Sequence, residues 1–214
     1  MYQSELHSKS EMMKYHWKIS FLNVSSLYAH LQDVARDNYL MDSDVFSLGE
    51  TWLHQGTEIH LNGYNGIFAN YGPGKGVAAF VHNELESTKD PITMSSEFLS
   101  VVKLSHMDID MIFVYVSKNC KQAVLEAALT QLINTCAPTI VIGDFNEHFC
   151  EKSKVSKFMK AMNFDQKITE ATHDKGNTID HLYVNNYIER KGFFIEKSAA
   201  YYSDHDILSI YVQK

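Results

Sequence analysis

The sequence predicts an α/β fold in which two β-sheets are layered face to face. Three observations carry this. Strand-like segments arrive in runs, few stretches carry a helical period, and several apolar runs are short enough to be buried strands. A doubly wound parallel sheet would instead alternate strand and helix throughout.

Residues 1–14 are polar and aperiodic and read as a flexible tail ahead of a single domain over 15–214. WKISFLNV (17–24) alternates and is rich in β-formers, so it predicts a strand. SSLYAHLQDVARDNYL (25–40) starts on Ser and spaces Leu27, Leu31, Val34 and Ala35 helically, which predicts one capped amphipathic helix. DVFSLGE (44–50) is a short buried strand, and YNGIFANY and GVAAFVH are strands on either side of the turn GPGKG (72–76). That turn invites a phosphate-loop reading. It lacks the full spacing and the Ser or Thr after the Lys, and it joins two strands, so a hairpin turn is the better reading.

ESTKDPITMSSE (86–97) reads as a loop, and FLSVVKLS and DIDMIFVYV as a hairpin turning near His106 to Asp108. KQAVLEAALTQLINT (121–135) is a clear amphipathic helix, and PTIVIGDF a strand. A second such helix covers about 151–163, KITEATHDKGN is a loop, and IDHLYV, GFFIEKS and ILSIYV are strands.

The bulk composition fits this picture. The 214 residues are 45% hydrophobic and 21% charged, with only 3 prolines and no low-complexity run to mark a linker. A net charge of −7 leaves no basic footprint of the kind that holds nucleic acid by charge alone. It does not exclude a nucleic-acid enzyme, since metal-binding carboxylates themselves lower the charge. Cys120, Cys136 and Cys150 are odd in number and widely spaced, fitting neither a disulfide framework nor a zinc site, and are expected to be reduced packing residues. No apolar run approaches membrane-spanning length and the start is too polar for a signal peptide, so no membrane partner is expected. A soluble, intracellular protein, nuclear or cytoplasmic, is the expectation.

Several predicted strands end in polar side chains of one chemical kind. Asn23, Glu50, Tyr115, Asp144, Asn146, Asp180, Asp204 and His205 each sit at or just beyond the end of an apolar strand. Strand ends of a layered sandwich can converge on one rim. Hard carboxylate and carboxamide oxygens there suit magnesium or manganese, and a neighbouring imidazole completes a set for metal-assisted phosphoryl chemistry. Each residue alone has a blander reading. An Asp after a strand is often a turn or cap residue, Asn23 is placed to cap the following helix, Tyr115 fits a core aromatic, and the two Asp-His pairs fit exposed surface. The case rests on joint occurrence in order.

Read in order, NVSSL, ETWL, YVSKN, GDFN, IDHLYV and SDHD resemble the motif series of the endonuclease/exonuclease/phosphatase superfamily, over roughly residues 17–212. ETWL, GKGVAAFV, EATH and YYSDHD resemble more closely the apurinic-type endonuclease domains of non-LTR retrotransposons and related mobile elements. The resemblance implies a four-layered αββα sandwich, two mixed sheets with helices outside, and divalent-metal hydrolysis of a phosphodiester. It implies Glu50 as the principal Mg2+ (or Mn2+) ligand, with Asn23 beside it and Asp204 as a further ligand. Asp144 would orient or deprotonate the attacking water, and Asn146 would hold the phosphate and Asp144 in place. His205, its ring fixed by Asp180, would bond a non-bridging oxygen, and Tyr115 would contact the phosphate or assist the leaving group.

Two positions depart from the pattern. Ser25 stands where apurinic-site enzymes have a carboxylate, and YVSKN is one residue longer than the usual Tyr-x-Pro-Asn and lacks its Pro, which leaves Asn119 to bind substrate out of register. Lys75, Lys118 and Lys175 are candidate cations near the site, against the plainer reading of solvated surface.

The function expected is nicking of double-stranded DNA by a magnesium-dependent endonuclease, within a larger mobile-element polyprotein. A phosphatase or phosphodiesterase acting on a small phosphorylated molecule or RNA is the alternative within enzymes, and a decayed, binding-only copy the alternative outside them.

Overall fold

The computed structural model describes residues 16–85, 89–106 and 108–214, with the backbone alone at 89 and 90; the tail expected over 1–14 lies outside them. In chain order, β1 (His16–Asn23) leads through α1 (Leu27–Val34) and α2 (Asn38–Met41) to β2 (Val45–Gly49), β3 (Tyr64–Ala69) and β4 (Val77–His82). Then come β5 (Lys89–Ser95), β6 (Leu99–His106), β7 (Ile109–Val116), α3 (Gln122–Leu132) and β8 (Thr139–Asp144). The order is completed by α4 (Lys154–Ala161), β9 (Phe164–Gln166), β10 (Asp180–Asn185), α5 (Asn186–Lys191), β11 (Phe193–Ala199) and β12 (Asp206–Gln213).

These form two mixed six-stranded sheets, β11-β12-β1-β2-β4-β3 and β5-β6-β7-β8-β10-β9. Three buried clusters fill the spaces between four layers. Ile19, Phe21, Phe113 and Ile142 pack between the sheets; Leu22, Phe46 and Phe80 pack under Leu27 of α1 and Leu40 of α2; Ile112, Val114 and Val141 pack under Leu129 of α3 and Met159 of α4. The fold is therefore the αββα sandwich.

The central strands read as continuous apolar runs because both of their faces are covered. Along β7, Met111, Phe113 and Tyr115 face the other sheet, while Ile112, Val114 and Val116 face the helices. This two-residue period also aims the strand ends. Asn23 is in phase with Ile19 and Phe21, Asp144 with Ile140 and Ile142, and Asp180 with Leu182 and Val184, all on the inter-sheet side. The core's own alternation thus turns these polar groups toward each other.

The connections put them at one rim. Parallel neighbours need a crossover, and each sheet has one such pair: β1 beside β2 through α1 and α2, and β7 beside β8 through α3. The carboxyl ends of each pair are therefore level, with Asn23 opposite Gly49 and Tyr115 opposite Asp144. The antiparallel β10 starts at the same level, with Asp180 opposite Asp144. Gly143 lets β8 lie this close to β7, since a Cβ there would meet the Val114 carbonyl oxygen at 1.9 Å.

Three expectations are corrected, and two short elements were not read from the sequence. The loop expected over 86–97 contains β5, an edge strand whose register shifts between Lys89 and Ile92, around Pro91; an edge is where a sheet tolerates a residue without an N–H. The single helix expected over 25–40 is two, because Asp37 leaves the helix and caps α2 by accepting from Leu40 N. The short β9 and α5 carry too little pattern to read, α5 being started by Asn185, which accepts from Tyr187 N and Ile188 N. Cys136 and Cys150 are exposed in loops; only Cys120 packs partly against the core, and all three are free thiols. No helix of the described residues is long and apolar enough to cross a membrane.

Candidate active site

Asn23 ends β1 fully buried. Its Nδ2 donates to Asp144 Oδ2 at 2.8 Å, and its Oδ1 accepts from Ser25 N at 3.1 Å. The ladder between β1 and β2 runs on past the strands, with Val24 N on Gly49 O, Ser26 N on Glu50 O and Leu27 N on Thr51 O. Ser25, Ser26 and Glu50 are held there at φ 48°, 105° and 48°, a left-handed backbone that non-glycine residues adopt only when their surroundings fix it. The Glu50 carboxylate is partly exposed and faces Tyr115 and Trp52. The helix after Asn23 is capped by Ser26, whose Oγ accepts from Ala29 N, so Asn23 has no capping duty.

Asp144 ends β8, 1% exposed. Its Oδ1 accepts from Asn146 N at 2.7 Å, and its Oδ2 from Asn146 Nδ2 at 3.2 Å as well as from Asn23. Asn146, at φ 49°, also donates to Val116 O at 2.9 Å, which ties the turn after β8 to the end of β7. Burial, reinforced by the charge of Asp180, pushes the Asp144 carboxyl up to about 8, against the pull of His205 and of the two Asn donors.

Asp180 is fully buried, and its Oδ2 lies 2.8 Å from His205 Nδ1. Burial alone would lower the His205 pKa; the hydrogen bond and charge of Asp180, with Asp144 and Asp204 adding to them, raise it to about 9. His205 is therefore an imidazolium at neutral pH. The exposed Asp204 accepts from Ser25 Oγ at 3.3 Å through Oδ1 and lies 3.2 Å from His173 Nε2 through Oδ2.

His173 was not singled out from the sequence. Its Nδ1 accepts from Lys175 N at 3.0 Å, which leaves Nε2 as the ring's N–H, 3.2 Å from Asp204 Oδ2. A backbone bridge to His205 sets it there, and the only sequence signal is a His in a Gly-closed turn just before Asp180.

Tyr115 is 6% exposed and donates to Gly74 O at 2.9 Å. Burial, then the Glu50 and Asp144 charges, push its hydroxyl well above the usual 10, so it stays protonated. The GPGKG hairpin turn thus packs into the site: Gly76 O accepts from Thr51 N and Lys75 O from Trp52 N. Gly76 sits at φ 100°, where an added Cβ would meet Thr51 Oγ1 at 2.4 Å.

Asn23, Asp144, Asn146, Asp180, Asp204 and His205 form one connected network, with Tyr115 and Glu50 beside it. Asn119, Lys118 and Lys175 are exposed on loops and, among the described residues, make no hydrogen bond to that network. The donors fit a hard divalent cation. Asp144, Asp180 and His205, and also His173, Asp204 and His205, each bring side-chain nitrogen or oxygen atoms within 4.8 Å of one another, but His205 as an imidazolium has no lone pair to offer, so the carboxylates are the donors; Glu50 joins neither group. Asp180 Oδ1 is a buried carboxylate oxygen with no hydrogen-bond partner, the kind of orphan a cation or its water satisfies.

The sequence model described as the Endonuclease/Exonuclease/phosphatase family matches residues 20–205. None of the curated proteins matches the chain by sequence. Among solved structures, an AP endonuclease from Archaeoglobus fulgidus superposes with a TM-score of 0.70 at 18% identity, covering 91% of this chain and 98% of the other. The 3′ phosphatase NExo from Neisseria, bound to a product DNA hairpin, gives 0.71 at 16% identity, covering 92% and 100%. The endonuclease domain of TRAS1, a telomere-specific non-LTR retrotransposon, gives 0.67 at 12% identity, covering 92% and 98%.

Proposed function

The chain belongs to the endonuclease/exonuclease/phosphatase family of phosphoester hydrolases, and from that premise we propose that it is a divalent-metal-dependent DNA endonuclease that nicks one strand. The observation that carries this reading is geometric: Asp144 is a buried carboxyl at the rim, gripped by Asn23 and Asn146, with the Asp180–His205 pair beside it.

In this reading Asp144 takes a proton from the attacking water as the water oxygen bonds to phosphorus. Asn23 and Asn146 fix which carboxylate lone pair faces the water. Protonated His205 donates through Nε2 to a non-bridging oxygen, where negative charge builds up. The P–O3′ bond breaks and the leaving 3′ oxygen takes a proton from solvent water, giving a 3′-hydroxyl and a 5′-phosphate, while Tyr115, its own proton on Gly74 O, contacts the phosphate as a neutral phenol. Glu50, Asn23 and Asp204 would hold magnesium or manganese, which when bound supplies Lewis-acid stabilisation of the phosphoryl oxygens. In a mobile element the domain over 15–214 would be one part of a polyprotein.

Incubation with supercoiled plasmid tests this. Nicked circles should form with magnesium, stop forming with chelator, and carry 3′ ends that a polymerase extends. The net charge of −7 favours one second reading, a phosphoesterase acting on RNA or a small phosphorylated molecule. Turnover of such a substrate with no plasmid nicking would put it first.

A further inference from the structure

The residue two positions beyond Glu50 has no role in the chemistry above, yet the fold holds it out into solvent beside the site. Trp52 is 40% exposed, between Thr51 and Leu53, both fully buried. Its backbone sits at φ 60° and its N–H is spent on Lys75 O at 2.9 Å. A strained conformation fixed from both sides gives the ring little freedom to turn inward. The indole edge is anchored too, with Nε1 3.4 Å from Glu50 Oε2. Among the described residues no ring stacks on its face and no cation covers it.

The facing loop brings complementary groups. Tyr71 is 38% exposed, and the Lys75 ammonium lies 5.0 Å from its ring centroid, which holds the cation in place. Through Gly74 O the same loop is tied to Tyr115 at 2.9 Å. An open indole face, a positioned cation and the proposed phosphate site are thus linked by two hydrogen bonds.

We infer that Trp52, with Tyr71 and Lys75 beside it, is a stacking platform for an unpaired nucleobase flanking the scissile phosphate, Lys75 taking a neighbouring phosphate. The occupant follows from the chemistry. A π-face and a cation next to each other match a nucleotide. Within a continuous duplex both faces of every base are covered by neighbours, so the indole can stack only on a base at an end, gap, fork or single-stranded flank. The acidic chain gives little general grip on phosphates, and stacking supplies what charge does not. This rests on the nuclease reading and narrows its substrate to DNA unpaired beside the cut.

The test has two arms. The chain has 2 tryptophans, and Trp17 is partly buried with the Lys214 ammonium 4.0 Å from its ring. In chelator, which prevents turnover, a single-stranded oligonucleotide should quench the fluorescence of Trp17→Phe saturably, and more than a matched blunt duplex does. The same oligonucleotide should lose most of its quenching in Trp52→Phe, which reads the same contact should Trp17→Phe not fold. In the second arm kcat/KM is compared for a substrate with unpaired flanks and a fully paired one. Their ratio should fall roughly tenfold in Trp52→Ala, mainly through KM, the worth of one stacked base, and Trp52→Phe should restore most of it. Absence of quenching, or an equal loss on both substrates, overturns the platform. Failure of Trp52→Phe to rescue assigns Trp52 to its N–H on Glu50 instead. Quenching without any DNA cleavage leaves the platform standing and overturns the nuclease reading.

Discussion

Asn23 and Asp144, 121 positions apart in the chain and on different sheets, are joined by a 2.8 Å hydrogen bond from the carboxamide Nδ2 to the carboxylate Oδ2. It bridges the two sheets at the rim where the site lies. Asn23→Ala should leave a buried oxygen short of a donor, at a cost of about 1–3 kcal/mol, read as a lower urea midpoint. A double-mutant cycle with Asp144→Asn should give a coupling of roughly 0.5–3 kcal/mol. Strict additivity would mean that the contact does not connect the sheets energetically.

On the proposed reading, the oxygen donors make activity depend on a divalent metal. Magnesium takes one or two carboxylates from a protein and keeps several waters, so neutralising one should be felt as weaker binding. Glu50→Gln is expected to raise the magnesium concentration for half-maximal nicking at least tenfold, on the order of the loss of one of few charged ligands. An unchanged magnesium titration would remove Glu50 from the metal site.

Asp144→Asn and His205→Ala should each lower kcat by about 10²–10⁴, the worth of a general base or of a donor to developing charge. Their circular dichroism should stay that of the folded chain. The double variant should be far less than multiplicatively worse, because groups acting in one step are not independent. Near wild-type turnover in either single variant would end the role given to that residue.

His173 Nε2 lies 3.2 Å from Asp204 Oδ2, on a ring whose Nδ1 is held by Lys175 N. Hydrogen-bond partners of metal ligands typically contribute about 10–100-fold in metal affinity or activity. His173→Ala should shift the magnesium titration within that range, with His173→Gln, which keeps an N–H donor, intermediate. A loss of kcat with no change in magnesium dependence would separate His173 from Asp204.

The differences between sequence and structure have physical causes. The central strands were legible because covering both faces of β7 and β8 demands continuous apolar runs. The side chains at their ends were legible because a rim needs polar groups in the same phase as the core. β5 was not, since KDPITMS opens on Lys, Asp and Pro, which strands disfavour, and only its edge position lets it pair. Asp37 looked like helix interior because a local period cannot show that a carboxylate will leave the helix to cap a new one. His173 was missed as a site neighbour, and the GPGKG turn was placed near the site only through Lys75, for a related reason. Their partners, Asp204 and Tyr115, are distant in sequence, and the contacts arise only when the loops fold over the rim.

The last prediction concerns acid stability and His181, which shares the helix-facing side of β10 with Tyr183. The ring is fully buried and stacks on Phe145 at 4.8 Å. Nε2 faces the Glu147 carbonyl oxygen at 2.9 Å and Nδ1 faces the Tyr183 hydroxyl at 3.1 Å. A neutral ring protonated on Nε2 satisfies both partners, donating to one and accepting from the other. Burial lowers its pKa from 6.5 to about 4, outweighing the nearby Asp180 charge and the carbonyls. The unfolded chain therefore takes up this proton first as pH falls. The stabilisation is complete above pH 6.5, is lost progressively between 6.5 and 4, and amounts to about 3 kcal/mol at 1.36 kcal/mol per pKa unit. Asp144 and Asp44, whose carboxyls burial raises, act in the opposite direction as pH falls, so the difference between chains is the measurement. His181→Phe keeps an aromatic ring for the stack but cannot titrate, and should be less stable than wild type at pH 7.5 because two polar partners lose their bonds. Urea unfolding of both chains from pH 7.5 to 4.5 should show the gap closing by about 2–3 kcal/mol. A gap that stays constant over that range would mean that His181 is not the residue through which acid loosens this sheet.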